Sequence, residues 1–118
     1  MPQLRFAPRA LDDLQGIKER IAVQFGQEKA ATVLKRVISD IRILESFPLA
    51  GLRLEDLIDY PTDYRYLVVR QNYVFYRIER DETIRVIRIL NEKQDFLEIL
   101  FGISSISGEG ERFWDGLE

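Results

Sequence analysis

The apolar positions change their period along the chain, and each change marks an element. From Leu11 they fall at Leu11, Leu14, Ile17, Ile21 and Phe25, the three-and-four spacing of one helical face. Pro8 fits the first turn of that helix, where a missing amide hydrogen costs nothing. Asp12 and Asp13 lie near its positive end, and Gly26 is a natural terminator. A second helix is predicted from Gln27 to about Ser46, with Ala30, Leu34, Val37, Ile41 and Leu44 on one stripe, Ile38 widening it and Pro48 ending it. Leu4 to Ala7, ahead of both, fits either a strand or a loop.

Between Tyr64 and Leu90 the period drops to two. The run is rich in β-branched and aromatic residues and is cut twice by short polar breaks, which predicts a three-strand antiparallel meander. The first strand, Tyr64 to Arg70, puts Leu67 and Val69 on one face and Tyr64, Tyr66 and Val68 on the other. In the second, Tyr73 to Glu79, the face of Val74, Tyr76 and Ile78 is the expected core, and Tyr73, Phe75, Arg77 and Glu79 point away. Gln71-Asn72 links them as a tight hairpin, Asn being tolerant of positive φ. The third strand, Thr83 to Leu90, is apolar on both faces, as suits the middle of a sheet, and strict alternation puts Arg85 and Arg88 on opposite sides. From Tyr64 to Leu90 there are six Arg against three acids, so one side of the sheet is expected to be cationic and aromatic.

Pro48 to Gly51 reads as a turn. Leu52 to Asp63 reads as an irregular connector with room for one short turn around Glu55 to Leu57. Asn91 to Gln94 has the spacing of a cap, and Phe96, Leu97, Leu100 and Phe101 form the stripe of a short closing helix that reaches Gly102. Two amphipathic helices joined at one Gly cannot bury their stripes without a third element, and the meander supplies it. The expected fold is α+β: an N-terminal strand, an antiparallel two-helix hairpin on a small, mainly antiparallel sheet, and a short C-terminal helix.

With 118 residues the chain suits one domain, taken as residues 1–102, with 103–118 as an acidic tail containing Gly and Ser. The net charge of -3 is unevenly spread: residues 1–102 hold 16 bases and 16 acids, the tail one base and four acids. No apolar run approaches the roughly 18 residues of a membrane span, and Met1 to Ala10 lacks the apolar stretch of a signal peptide. The expected address is the cytoplasm. Without Cys or His, thiolate chemistry, imidazole catalysis and the usual transition-metal ligand sets are closed. No cofactor and no metal are expected.

Phe47-Pro48 with Gly51, Tyr64-Arg65, Tyr73-Val74-Phe75-Tyr76-Arg77, Val86-Ile87-Arg88-Ile89 and Gln94-Asp95 occur in this order and spacing. In that respect residues 3 to 101 resemble the RelE/ParE superfamily of toxins from type II toxin–antitoxin pairs. The resemblance implies one of two occupations: ribosome-dependent cleavage of messenger RNA, as in RelE-like members, or poisoning of DNA gyrase by binding, as in ParE-like members. Nucleases of the family tend to carry Arg where this chain has Tyr73, and His, Arg or Tyr where it has Asn91 and Glu92. RNA cleavage needs groups to take and return a proton and cations around the phosphate, and a neutral body grips RNA poorly. Arg65, Tyr76-Arg77, Lys93 and Asp95 fit the ParE-like pattern, although Asn91 departs from the His often found there.

The reading favoured is therefore a ParE-like toxin, an inhibitor of gyrase acting in growth inhibition and plasmid stabilisation. No catalytic residues are assigned, and the balance leans against an enzyme. As the resemblance implies, a cognate antitoxin neutralises it by wrapping the helical hairpin and the sheet edge, and the complex represses its own operon. Arg65, Tyr73, Arg77, Arg85, Arg88 and Lys93 are the expected target- or partner-binding residues; no direct binding to nucleic acid or membrane is expected. The alternatives are a RelE-like endonuclease using Arg65, Arg77, Arg88 and Tyr73, or an inactive antitoxin-binding scaffold. Each candidate also has a plain reading. The Arg set also reads as the solvated face of a sheet, the Tyr residues as cross-strand packing, and Glu92 with Asp95 as a capped helix start rather than a carboxylate pair.

Overall fold

The computed structural model describes residues 2–103. A five-stranded mixed sheet in the order β1-β5-β4-β3-β2 is covered on both faces, and this double cover decides where every candidate residue ends up. Strand β1 (Leu4–Phe6) resolves the ambiguity at the N-terminus, pairing parallel to β5 (Ile84–Asn91), with Leu4 opposite Ile84 and Phe6 opposite Val86. Helix α1 (Pro8–Phe25) has Pro8 at its start and ends at Gly26, where φ is 94°, a left-handed value that Gly adopts without steric cost. Helix α2 (Gln27–Ile41) returns antiparallel, as expected. It stops at Arg42, and a separate turn of helix, α3 (Ile43–Ser46), follows.

The hairpin packs Ala10, Leu14, Ile17, Val37 and Ile41, and α3 adds Leu44, against Val69, Val74, Tyr76, Ile84, Val86 and Ile89 of the sheet. This is the expected core face of the second meander strand, now β4 (Asn72–Ile78). The stripe on α1 is shorter than predicted: Leu11 is 53% and Phe25 65% exposed, while Ala10, next to Leu11, is fully buried.

Four further differences have physical causes. Strand β3 (Arg65–Val69) turns into β4 through Arg70 and Gln71, whose φ values are 50° and 70°, so the tight turn sits one residue earlier than Gln71-Asn72. Two positive φ values match the twist of a two-residue hairpin. Asn72 is buried and donates its amide to the Arg70 carbonyl, which is how it supports the turn. The connector expected to be irregular begins with β2 (Leu52–Arg53), paired antiparallel to Tyr66 and Arg65, and the short turn expected around Glu55 to Leu57 is helix α4 (Leu54–Ile58).

The register between β4 and β5 slips between Phe75 and Tyr76, which face Arg88 and Val86 respectively. A bulge of this kind inserts one residue, here Ile87, and resets the alternation. Arg85 stands opposite Arg77 and Arg88 opposite Phe75, and the two side chains then part, Arg85 bonding Glu79 and Arg88 bonding Asp13 of α1.

The face expected to be outward, cationic and aromatic is largely a second core. Phe75 and Leu90 are fully buried there with Leu54, among Ile58, Tyr64, Tyr66, Tyr73, Phe96, Leu100 and Phe101. The cover comes from α4 and from α5 (Phe96–Phe101), which is capped by Asp95 accepting from the Glu98 amide and closed by Gly102 at φ 68°. Glu92 and Asp95 are therefore not a paired-carboxylate site; Asp95 caps the helix. No helix among the described residues is long and apolar enough to cross a membrane.

Candidate functional site

Arg65 sits on β3 opposite Tyr76 of β4, and together these two side chains hold the Pro48 to Gly51 turn. The Tyr76 hydroxyl, fully buried, donates to the Pro48 carbonyl at 2.8 Å and accepts from the Gly51 amide at 3.0 Å. Nη2 of Arg65 donates to the Gly51 carbonyl at 2.8 Å and reaches the Leu49 carbonyl at 3.5 Å, while its Nε is buried with no hydrogen-bond partner among the described residues. Gly51 is required by space: a Cβ there would lie 2.5 Å from the Tyr66 carbonyl oxygen and 2.6 Å from the Tyr76 hydroxyl. The Phe47-Pro48-x-x-Gly51 and Tyr-Arg elements noticed separately in the sequence thus form one clamp. It presents Phe47 and Leu49, 63% and 68% exposed, on a fixed turn.

Arg77 and Arg85 lie opposite each other on β4 and β5 and share Glu79. Arg85 donates to it twice, at 2.9 and 3.3 Å, and Arg77 lies 3.7 Å away. The hydrogen bonds from Arg85 hold the Glu79 carboxyl below its usual range and push the guanidinium up. Arg5, which the sequence did not single out, is in register with Arg85 on β1, so three Arg cross the sheet in one transverse row. A strand alternating Leu4, Arg5, Phe6 carried that signal, but only the parallel pairing with β5 reveals it.

Arg88 turns the other way and makes the least exposed of the described ion pairs, its Nε and Nη2 lying 2.8 and 2.9 Å from the two carboxylate oxygens of Asp13. Asp13 also accepts from the Ile89 amide at 2.8 Å. It is thus turned toward β5 rather than toward the start of its own helix, since α1 begins at Pro8 and leaves Asp13 beyond the first turn. The bond from Asp13 raises the Arg88 guanidinium further above its ordinary value. Tyr73, expected to stand free on the outer face, is half-buried with its ring 5.7 Å from Phe96, 5.9 Å from Phe75 and 6.0 Å from Tyr66. Lys93 is exposed in the turn between β5 and α5.

Of the six residues, only Arg77 and Arg85 are brought together. Arg65 belongs to the turn clamp, Tyr73 to the second core and Arg88 to the joint between α1 and β5. Among the described residues no group of three or more acidic side chains could hold a metal ion. The pair Phe113-Trp114 lies outside the described residues.

One further feature, not visible from residue types, is an open strand edge. Among the described residues strand β2 covers only Arg65 and Tyr66 of β3, leaving Leu67 to Val69 without a strand neighbour on that side. Val68, 60% exposed, and Ile43, 46% exposed, flank it, with Asp40 and Arg70 paired at 3.1 Å across the groove.

No curated protein sequence matches the chain. Among solved structures it is similar to a chain of a chromosomal ParDE TA system from P. aeruginosa, with a TM-score of 0.66 and 20% identity over 77% of this chain and 96% of that one. At this identity the likeness speaks for the fold. The family model of the ParE toxin of the type II toxin–antitoxin system parDE matches residues 4–96, from the first residue of β1 to the first of α5, and so takes in the clamp, the Arg row and the open edge together. The chain belongs to the ParE toxin family of type II toxin–antitoxin systems.

Proposed function

We propose that this toxin acts by binding DNA gyrase and is held inactive by a cognate antitoxin seated along the open edge of β3 and the adjoining hairpin. The observation that carries the first half is that, outside the Arg5–Arg85–Arg77 row, the candidate cations are tied down at separate places. Arg88 and Arg85 are committed to Asp13 and Glu79, Arg65 to backbone carbonyls and Tyr73 to ring packing. Cleavage of RNA would need several such groups around one phosphate. Binding a protein does not.

The second half is supported by the edge itself. An added strand at Leu67 to Val69 would satisfy free backbone groups, and its apolar side chains would cover Val68 and Ile43, which are otherwise exposed. Arg77 and Lys93 remain as contacts to the target, the first 41% exposed and the second in an exposed turn.

The test is a pair of assays on the purified protein: supercoiling by gyrase, and cleavage of ribosome-loaded message. Loss of supercoiling with intact message is the expected result. Cut message with supercoiling unchanged would replace this reading with that of an endonuclease, and inactivity in both would leave an antitoxin-binding scaffold.

A further inference from the structure

Strand β1 ends the sheet on the side away from β2. Its pairing with β5 runs through alternate residues: the Gln3 carbonyl accepts from the Ile84 amide and the Ala7 amide donates to the Val86 carbonyl, with Arg5 between them opposite Arg85. Backbone groups alternate sides along a strand, so those of Leu4 and Phe6 point away from β5. Among the described residues nothing meets them, and the edge offers its amides and carbonyls in alternation.

Arg5 is exposed at the middle of this edge. Its side chain bonds the neutral carboxamide of Gln3 at 3.1 Å and makes no ion pair among the described residues. The row that Arg5 heads, with Arg85 and Arg77, shares the single carboxylate of Glu79; nearby Asp81 is tied to the Thr83 amide at 3.0 Å. Like charges facing each other on neighbouring strands are unfavourable. A second carboxylate, set beside Arg5, would correct the arrangement.

We propose that β1 takes an extended acidic segment of the poisoned protein as a sixth strand, with its carboxylate beside Arg5 and apolar residues on either side of it. This rests on the reading that the toxin acts by binding a protein. A peptide strand supplies donors and acceptors in alternation, whereas phosphates only accept. The flanking residues fall on the face of Leu4 and Phe6, which pack against the hairpin core, and this asks for apolar side chains. A second copy fits badly: antiparallel pairing over the three residues would oppose Arg5 to its twin, and a charge on an edge strand works against self-association. Arg77, the target contact proposed above, lies at the far end of the same row, so the two form one surface.

The test compares Arg5→Glu with Arg5→Lys. The side chain is exposed and a carboxylate facing Arg85 is favourable, so the far-UV circular dichroism of Arg5→Glu should match that of the parent and its melting midpoint should not fall. Growth inhibition should be lost with Arg5→Glu and kept with Arg5→Lys, while both variants bind the antitoxin as the parent does. In hydrogen exchange read by mass spectrometry, residues 2–7 of the parent should gain protection on mixing with gyrase, and those of Arg5→Glu should not. Arg5→Glu as toxic as the parent would overturn the proposal. So would its failure to bind the antitoxin, which would put the antitoxin on β1; its loss of a message cleavage that the parent shows, which would assign Arg5 to RNA; or protection of residues 2–7 that rises with the concentration of the parent alone, which would make the occupant a second copy. A parent that arrests growth but leaves supercoiling intact would remove gyrase as the target, and the growth comparison would still decide the edge. A parent that arrests no growth would overturn both readings.

Discussion

The two faces of the sheet are both packed, but they are built differently. On one, a long helical hairpin of 18 and 15 residues lays continuous stripes on Val74, Tyr76 and Ile89, and its register is locked at a distance by the Arg88–Asp13 pair. On the other, two helices of five and six residues roof an aromatic cluster centred on Phe75, and α5 has no fully buried residue of its own. Short helices gain little from intrinsic propensity and owe their existence to tertiary packing. The second face is thus a core made by the sheet's own aromatics, with thin helices held against it.

That contrast makes Phe75→Ala the most telling substitution. If the face is a core, emptying its centre costs about 3–5 kcal/mol and releases α5, visible as loss of the hydrogen-exchange protection of the Ile99 and Gly102 amides before the hairpin opens. A loss near zero would return Phe75 to the surface role that alternation alone assigns it. Next in size is Asp13→Ala. It strands the guanidinium of Arg88 and the Ile89 amide in a site where the two side chains are 17% and 13% exposed, at a cost of about 3 kcal/mol in urea denaturation. Equal stability would mean that the hairpin is held by its apolar stripe alone. Tyr76→Phe should cost about 1–2 kcal/mol, because one hydroxyl serves both Pro48 and Gly51; the effect should appear first as faster proteolysis at the Phe47 to Ala50 turn. An unchanged cleavage rate there would show that Arg65 suffices to hold the turn.

The sequence carried the order of the large elements because their signals are local: three-and-four spacing, a Gly stop, period two with polar breaks. The hairpin face was legible because Val74, Tyr76 and Ile78 sort cleanly from their neighbours. The second core was not, since strict alternation reads a strand as having one inside, and Phe75 counts as outside until α5 is known to fold back. The bulge at Ile87 leaves no mark in residue type; Val-Ile-Arg-Ile reads as even alternation. The site residues fared similarly. Their chemistry was readable, but the partner of Arg88 lies 75 positions away, and the Arg65 clamp depends on backbone carbonyls that have no sequence signature.

With both faces covered, the open edge of β3 is the proposed seat of the antitoxin. The direct test is Val68→Lys, which puts a charge on the open strand, a device that discourages strand addition. Because Val68 is 60% exposed, stability should move by no more than about 0.5 kcal/mol. Cells expressing the variant are scored for growth with and without the co-expressed cognate antitoxin. The account predicts a variant as toxic as the parent that the antitoxin no longer rescues. Rescue equal to that of the parent would contradict it and place the antitoxin on another surface.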